Sequence, residues 1–231
     1  MSSKAPEPPR IDPSKPTSIL CVGRKGSGKS TAARALWHSW PQGAVCLDPT
    51  GDAHPADAEP VTAPLPTRFP DPDDDGRPRR LVYQPDSGSD TYLDDMDRCL
   101  GLALYPKDTP VLIWIDEGNR LGHSQAKGAV RQRQLLNEGR HYACTSIFCC
   151  PRPCKIDPLW ISQADLIFVY HLPNPRDREA LADNMGYPPD RFHQECAETW
   201  RRGPYWFMLW DAKQHVLWRM PPMPDVQGAV A

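Results

Sequence analysis

Residues 23–30 read Gly23-Arg24-Lys25-Gly26-Ser27-Gly28-Lys29-Ser30, and no other stretch constrains the fold as tightly. This is the pattern G-x-x-x-x-G-K-S, the Walker A or P-loop motif. The glycines let successive backbone N–H groups turn inward around a phosphate. Lys29 reaches the β/γ oxygens, and the Ser30 hydroxyl reaches Mg²⁺. The motif needs a strand before it and a helix after it. Thr17-Ser18-Ile19-Leu20-Cys21-Val22 is a β-type run, and Thr31-Ala32-Ala33-Arg34-Ala35-Leu36-Trp37 has helical composition. The phosphate-binding set is therefore Gly23, Arg24, Lys25, Gly26, Ser27, Gly28, Lys29, Ser30 and Thr31. The motif specifies a bound nucleotide and leaves its use open.

The rest of the chain alternates strands and helices. Short apolar runs at 43–48, 80–84, 143–150 and 164–170 read as strands, and 90–104 reads as a helix with Tyr92, Leu93, Met96, Cys99, Leu100 and Ala103 at helical spacing. Val111-Leu112-Ile113-Trp114-Ile115 is continuously apolar, as in a strand buried on both faces of a parallel sheet. Residues 124–140 read as a helix. Asn174-Pro175 opens another and Gly186 closes it. Near the end, Tyr205-Trp206-Phe207-Met208-Leu209-Trp210 and His215-Val216-Leu217-Trp218 read as an antiparallel hairpin. Its aromatic residues are expected in the core rather than as a base-stacking platform. The sum is an α/β fold with a mostly parallel sheet flanked by helices and a C-terminal antiparallel hairpin.

At 231 residues the chain suits one domain with a large core. The expected domain spans 17–220, after a flexible Pro-rich segment at 1–16 and before a tail at 221–231. Residues 49–79 form a Pro/Asp-rich stretch expected to be a long, mobile, solvated loop. The formal charge of −2 advertises no general affinity for polyanions, although a channel needs only local positive charge. No apolar run approaches the roughly 18–20 residues of a membrane span, and the N-terminus has no apolar signal core. A cytoplasmic protein without a membrane span is expected. The eight cysteines contain no pair of C-x-x-C knuckles, so they are expected as reduced core residues rather than zinc ligands or disulfides.

The apolar run 111–115 ends in Asp116-Glu117, which supplies the other half of a hydrolytic site. Asp116 is placed to hold Mg²⁺ as the Walker B acid. Glu117 is placed to activate water, a role worth about 10²–10⁴ in rate. Phosphoryl transfer also calls for a cation on the γ-phosphate, often an arginine from a neighbouring subunit. Arg131, Arg133, Arg140 and Arg152 are the candidates. Arg140, just before a strand, and Arg152, just after it, are both expected near the catalytic rim.

From Glu138-Gly139-Arg140-His141, through the strand 143–150 and Pro151-Arg152-Pro153, to Ser162-Gln163-Ala164-Asp165 and Leu172-Pro173-Asn174-Pro175, the chain resembles the FtsK/HerA superfamily of DNA-pumping ATPases. It looks most like the compact genome-packaging ATPases of viruses with internal membranes. The resemblance implies a RecA-like core, ATP and Mg²⁺ as cofactors, a homo-oligomeric ring, and double-stranded DNA as the partner moved. It also implies an arginine near Arg140 acting across the subunit boundary, a capsid vertex or portal protein as docking partner, and a place in the host cytoplasm or the virion. One departure stands out. The family's polar sensor before the Arg-Pro pair is replaced by Pro151, which leaves Arg152, or Thr145 and Ser146 upstream, to take that role. Three other readings stay open. One is a plasmid or chromosomal DNA-transfer ATPase of the same superfamily. Another is a P-loop kinase of a nucleotide or small molecule with 49–79 as its lid. The last is a non-enzymatic ATP-binding switch.

Overall fold

The computed structural model describes residues 7–53, 55, 57–61, 65–105, 109–125 and 129–224. The expected segments 1–16 and 221–231, and the helix expected at 124–140, thus lie partly outside the described residues. The strands are β1 (Ser18–Val22), β2 (Ala44–Leu47), β3 (Glu59–Val61), β4 (Arg80–Tyr83), β5 (Val111–Ile115), β6 (Cys144–Cys150), β7 (Leu166–Val169), β8 (Phe207–Asp211) and β9 (Val216–Met220). They form one sheet in the order β3-β4-β2-β5-β6-β1-β7-β8-β9. Pairing is parallel from β3 through β7, and antiparallel for β7–β8 and β8–β9.

The helices are α1 (Lys29–Ser39), α2 (Tyr92–Ala103), α3 (Val130–Glu138), α4 (Leu159–Ser162), α5 (Pro175–Met185) and α6 (Pro189–Arg201). Each central strand is apolar on both sides because each face is covered. On one face, Ile19 and Cys21 of β1 and Trp114 of β5 pack with Ala32, Ala33 and Trp37 of α1. Trp37 and Trp114 meet edge to face, with centroids 6.2 Å apart. On the other face, Leu20, Val22, Ile113 and Ile115 pack with α2, α4, α5 and α6. Seven of the eight cysteines are buried and all are unpaired, as core residues should be. Burial pushes the thiols of Cys144, Cys150 and Cys196 up to about 12.

Several boundaries differ from expectation. Ser124 and Gln125 sit in a turn, and the described helix begins only at Val130. Residues 49–79 are not one irregular loop. They contain β3, and Ala53, Leu65 and Phe69 are buried against the core. The Phe69 ring lies where a side chain on Gly43 would stand, 2.6 Å from a Cβ there. The acid run does behave as a solvated turn, with Asp73 accepting from the backbone of Asp75 and Arg77 at 3.1 and 2.7 Å. Helix α6 is an element the apolar pattern left hidden: Phe192, Cys196 and Trp200 recur every four residues among mostly polar neighbours. Helix α5 follows its expected signals, with Asn174 Oδ1 accepting from the Arg176 amide at 3.0 Å and Gly186 left-handed at the end.

Candidate nucleotide-binding and hydrolysis site

The parallel register brings the ends of β1, β2, β5, β6 and β7 to one edge of the sheet. The P-loop starts there. The Gly23 amide donates to the Cys150 carbonyl at 3.2 Å, and the Arg24 amide to His171 at 2.8 Å. The loop packs so closely that a Cβ on Gly23, where φ is +154°, stands 2.6 Å from both Ser27 Oγ and Tyr170 Cβ. Gly28 caps α1 with φ of 111°, and the cap residue offers no side chain to the first turn's free N–H groups. That bare helix end favours an anion. Lys29 is buried, and its ammonium donates to the Gly23 and Arg24 carbonyls at 2.8 and 3.1 Å across the mouth of the loop. Ser27 Oγ is buried with no hydrogen-bond partner among the described residues. Ser30 and Thr31 are half-buried on the first turn of α1. Arg24 and Lys25 are exposed at the tip, where Lys25 pairs with Asp52 at 3.2 Å.

Asp116 follows β5 and is buried, with its amide donating to the Leu47 carbonyl at 2.9 Å. Burial pushes its carboxyl up to about 6, helped by the charges of Asp48 and Glu117 and opposed by Lys29. Asp48 ends β2 and is fully buried. Its carboxylate accepts from the amides of Gly51, Asp52 and Ala53 at 2.9, 3.2 and 3.0 Å. Asp48 carries no motif signature, since in sequence it only ends a strand. Its place beside Asp116 follows from β2 lying next to β5.

Glu117 is half-buried in a left-handed conformation, φ 45° and ψ 46°. Such backbone is uncommon for a non-glycine residue and collects at functional sites. The next residue, Gly118, lies against Phe148, which stacks on Trp160 at 3.9 Å. Lys29, Glu117 and Asp177 all act electrostatically on Cys150 at the end of β6, so these charges share one neighbourhood.

The arginines separate sharply. Arg140 lies before β6, at the edge of the sheet opposite the P-loop, and pairs there with buried Asp165. Six strand steps separate Cys144 from Cys150, about 20 Å at ~3.3 Å per residue. Arg140 and Arg152 therefore do not share a rim, contrary to expectation. A residue before a parallel strand and one after it lie at opposite edges. For the same reason Thr145 and Ser146 do not reach the site. Thr145 Oγ1 accepts from the Thr17 amide at 3.1 Å, and Ser146 pairs with Ser18 at the start of β1. Arg152 does lie on the P-loop side, but its Nε donates to buried Asp177 at 2.8 Å, which ties it to α5. Arg131 Nη1 donates to Gln134 at 2.7 Å, and Arg133 Nη1 donates to the Ser124 carbonyl at 2.7 Å.

The donor set fits a Mg²⁺–nucleotide. Asp116 and the Ser30 hydroxyl are hard oxygen ligands, and Mg²⁺ is ordinarily held by one or two carboxylates together with substrate phosphates. A buried acid pushed up to about 6 is stabilised as the carboxylate by a cation. Among the described residues no cluster of three His, Cys, Asp or Glu is arranged to hold a metal by itself, and no helix is long and apolar enough to cross a membrane.

No protein-family model matches the sequence, and no curated protein matches it significantly. Solved structures do match. The genome packaging NTPase B204 from Sulfolobus turreted icosahedral virus 2, in complex with AMPPCP, superposes with a TM-score of 0.67 at 17% identity, over 92% of this chain and 100% of that one. The two chains thus share one fold. B204, the DNA-packaging ATPase from Sulfolobus Turreted Icosahedral Virus, gives 0.65 at 14% identity, over 91% and 100%. EssC (ATPases 2 and 3) from Geobacillus thermodenitrificans gives 0.56 at 10% identity, over 90% of this chain and 40% of that one. At these identities the likeness is one of architecture: a RecA-like sheet with its P-loop and strand-end acid at one edge.

Proposed function

We propose that the chain is an ATP-hydrolysing motor that translocates double-stranded DNA, working as a homo-oligomeric ring to package a viral genome into a preformed capsid. The observation that carries this reading is the convergence of Lys29, Asp116 and Glu117 at one sheet edge, with Arg140 at the opposite edge. In this mechanism the P-loop amides and Lys29 hold the phosphates. Ser30 and Asp116 would hold Mg²⁺, which neutralises phosphate charge when bound. Glu117 takes a proton from the attacking water. Within one subunit Arg140 cannot approach the γ-phosphate. Its side chain is 64% exposed, so it is available to a neighbour, and a ring would place it in the next site. The structural matches to genome-packaging ATPases over nearly their whole length support the packaging assignment. The kinase reading loses its lid, because 49–79 is tied to the sheet edge through β3, Leu65 and Phe69.

The test is ATP turnover with and without double-stranded DNA at low salt, where phosphate contacts are least screened. DNA is expected to stimulate turnover of the wild-type chain. Glu117→Gln lowers kcat by about 10²–10⁴ and keeps nucleotide binding. Turnover indifferent to DNA, together with no DNA binding at low salt, would sink the motor.

A further inference from the structure

Two cavities share Tyr205 in their lining, and both border the P-loop. One, of about 240 Å³, is lined by Gly28, Thr31, Tyr170, Tyr205, Pro222 and Met223. The other, of about 310 Å³, runs over the outer face of the loop past Arg24, Ser27 and His171. The first begins where the loop passes into α1, on the flank of the phosphate cradle. A nucleotide held by the P-loop must leave it on some side, and this cleft offers an exit walled by two tyrosines, a proline and a methionine.

Tyr205 is an unusual residue for that place. Its backbone is left-handed, with φ of 65°, and its side chain is one of the few large apolar groups left exposed, at 55%. A bulky aromatic in that backbone region is an outlier, and such strain collects at ligand clamps. Neighbouring Tyr170 and Phe207 stack on each other in the core, with centroids 4.9 Å apart, while Tyr205 stands outside that pair. Its ring edge nonetheless lies 3.5 Å from where a Cβ on Gly28 would be. The strained turn thus holds an aromatic face over the P-loop without burying it.

We propose that Tyr205 stacks on the nucleobase in the cleft it shares with Pro222 and Met223, and that the site takes purine nucleoside triphosphates without separating adenine from guanine. The proposal rests on the reading of the P-loop as a nucleoside triphosphate site. Selectivity follows from the lining. The polar side-chain groups among the six lining residues are the hydroxyls of Thr31, Tyr170 and Tyr205, which can donate or accept and so suit either purine edge, and none carries an amide, carboxylate, ammonium or guanidinium group. A site that hydrogen-bonds its substrate rejects an analogue by roughly 10⁴–10⁵, whereas an apolar pocket separates near-isosteres by only about 10–200-fold. Stacking is tolerant of base identity and favours the larger ring. The C-terminal hairpin therefore closes the nucleotide site, with Tyr205 on the way into β8 and Pro222 and Met223 just after β9.

The experiment titrates the full chain in Mg²⁺ with non-hydrolysable ATP and GTP analogues, and with inorganic tripolyphosphate as a probe without a base. Tyr205→Ala is expected to weaken both analogues by about tenfold or more and to leave tripolyphosphate within about twofold. Tyr205→Phe, which keeps the ring, restores wild-type affinity, and the two wild-type analogue affinities agree within about tenfold. Tyr205→Ala binding the analogues as the wild type does overturns the proposal. So does an equal loss of tripolyphosphate, which would mean that the ring only supports the loop. A preference beyond about 200-fold for one purine overturns the selectivity. A chain that shows the expected binding but no turnover contradicts the motor and leaves the base site standing. A chain that hydrolyses ATP regardless of Tyr205 does the reverse, and a wild type that binds neither analogue overturns both.

Discussion

Asp116 bears an electrostatic cost that its position explains. It is buried beside Asp48 and Glu117, and its carboxyl is pushed up from 3.8 to about 6. Because the folded value lies above the unfolded one, ionisation opposes folding. The penalty is absent below about pH 4, grows as pH rises through 6, and is complete above that. Each unit is worth about 1.4 kcal/mol, so Asp116→Asn should stabilise the nucleotide-free chain by roughly 1–3 kcal/mol at pH 7.5. Urea denaturation of wild type and variant at pH 7.5 and pH 4 checks this: the gap closes at the lower pH. The same variant should lose at least about a hundredfold in turnover, since it removes the proposed metal ligand. In the proposed mechanism, the instability at this residue is offset by a place to hold Mg²⁺.

Among the elements, β5 and the turn after it position Asp116 and Glu117, the proposed metal ligand and base. Gly118 has no room for a side chain: a Cβ there stands 2.2 Å from the Phe148 ring, which is backed by Trp160. Gly118→Ala should cost about 1–3 kcal/mol through overpacking and lower Tm by several degrees. Because the strain falls next to Glu117, kcat should drop while nucleotide affinity stays close to wild type. Calorimetry and steady-state kinetics separate the two effects. The P-loop, β5 and the capped helix α5 were legible in sequence because local rules write them: eight residues at fixed spacing, an unbroken apolar run, an Asn-Pro start and a Gly stop. Helix α6 was harder to see because its apolar residues come only every fourth position, after a Pro-Pro pair that reads as a break. Pro189 instead takes the first turn of the helix, where proline is tolerated. Asp48 and Tyr205 were not legible as site residues. One acquires its role from a neighbouring strand far along the chain, and the other from a backbone angle.

For the whole molecule, the two ends of the parallel strands carry different charged groups. One carries the P-loop and the acids, and the other carries Arg140 on Asp165. The linear order of Arg140, β6 and Arg152 suggested one shared rim, but the length of a parallel strand holds its two flanking segments apart, at opposite edges. That separation makes a site shared between subunits the economical reading, and it sets the decisive measurement. Lys29→Ala disables a subunit's own P-loop and leaves its Arg140 to donate. Arg140→Ala keeps the P-loop and removes the donor. Each variant alone should assemble as an oligomer and hydrolyse ATP at least about a hundredfold more slowly than wild type. Mixing the two should restore turnover well above the sum of the parents, because an Arg140→Ala P-loop can then sit beside an intact arginine. A mixture no more active than its components, or full activity of Arg140→Ala by itself, contradicts the shared site.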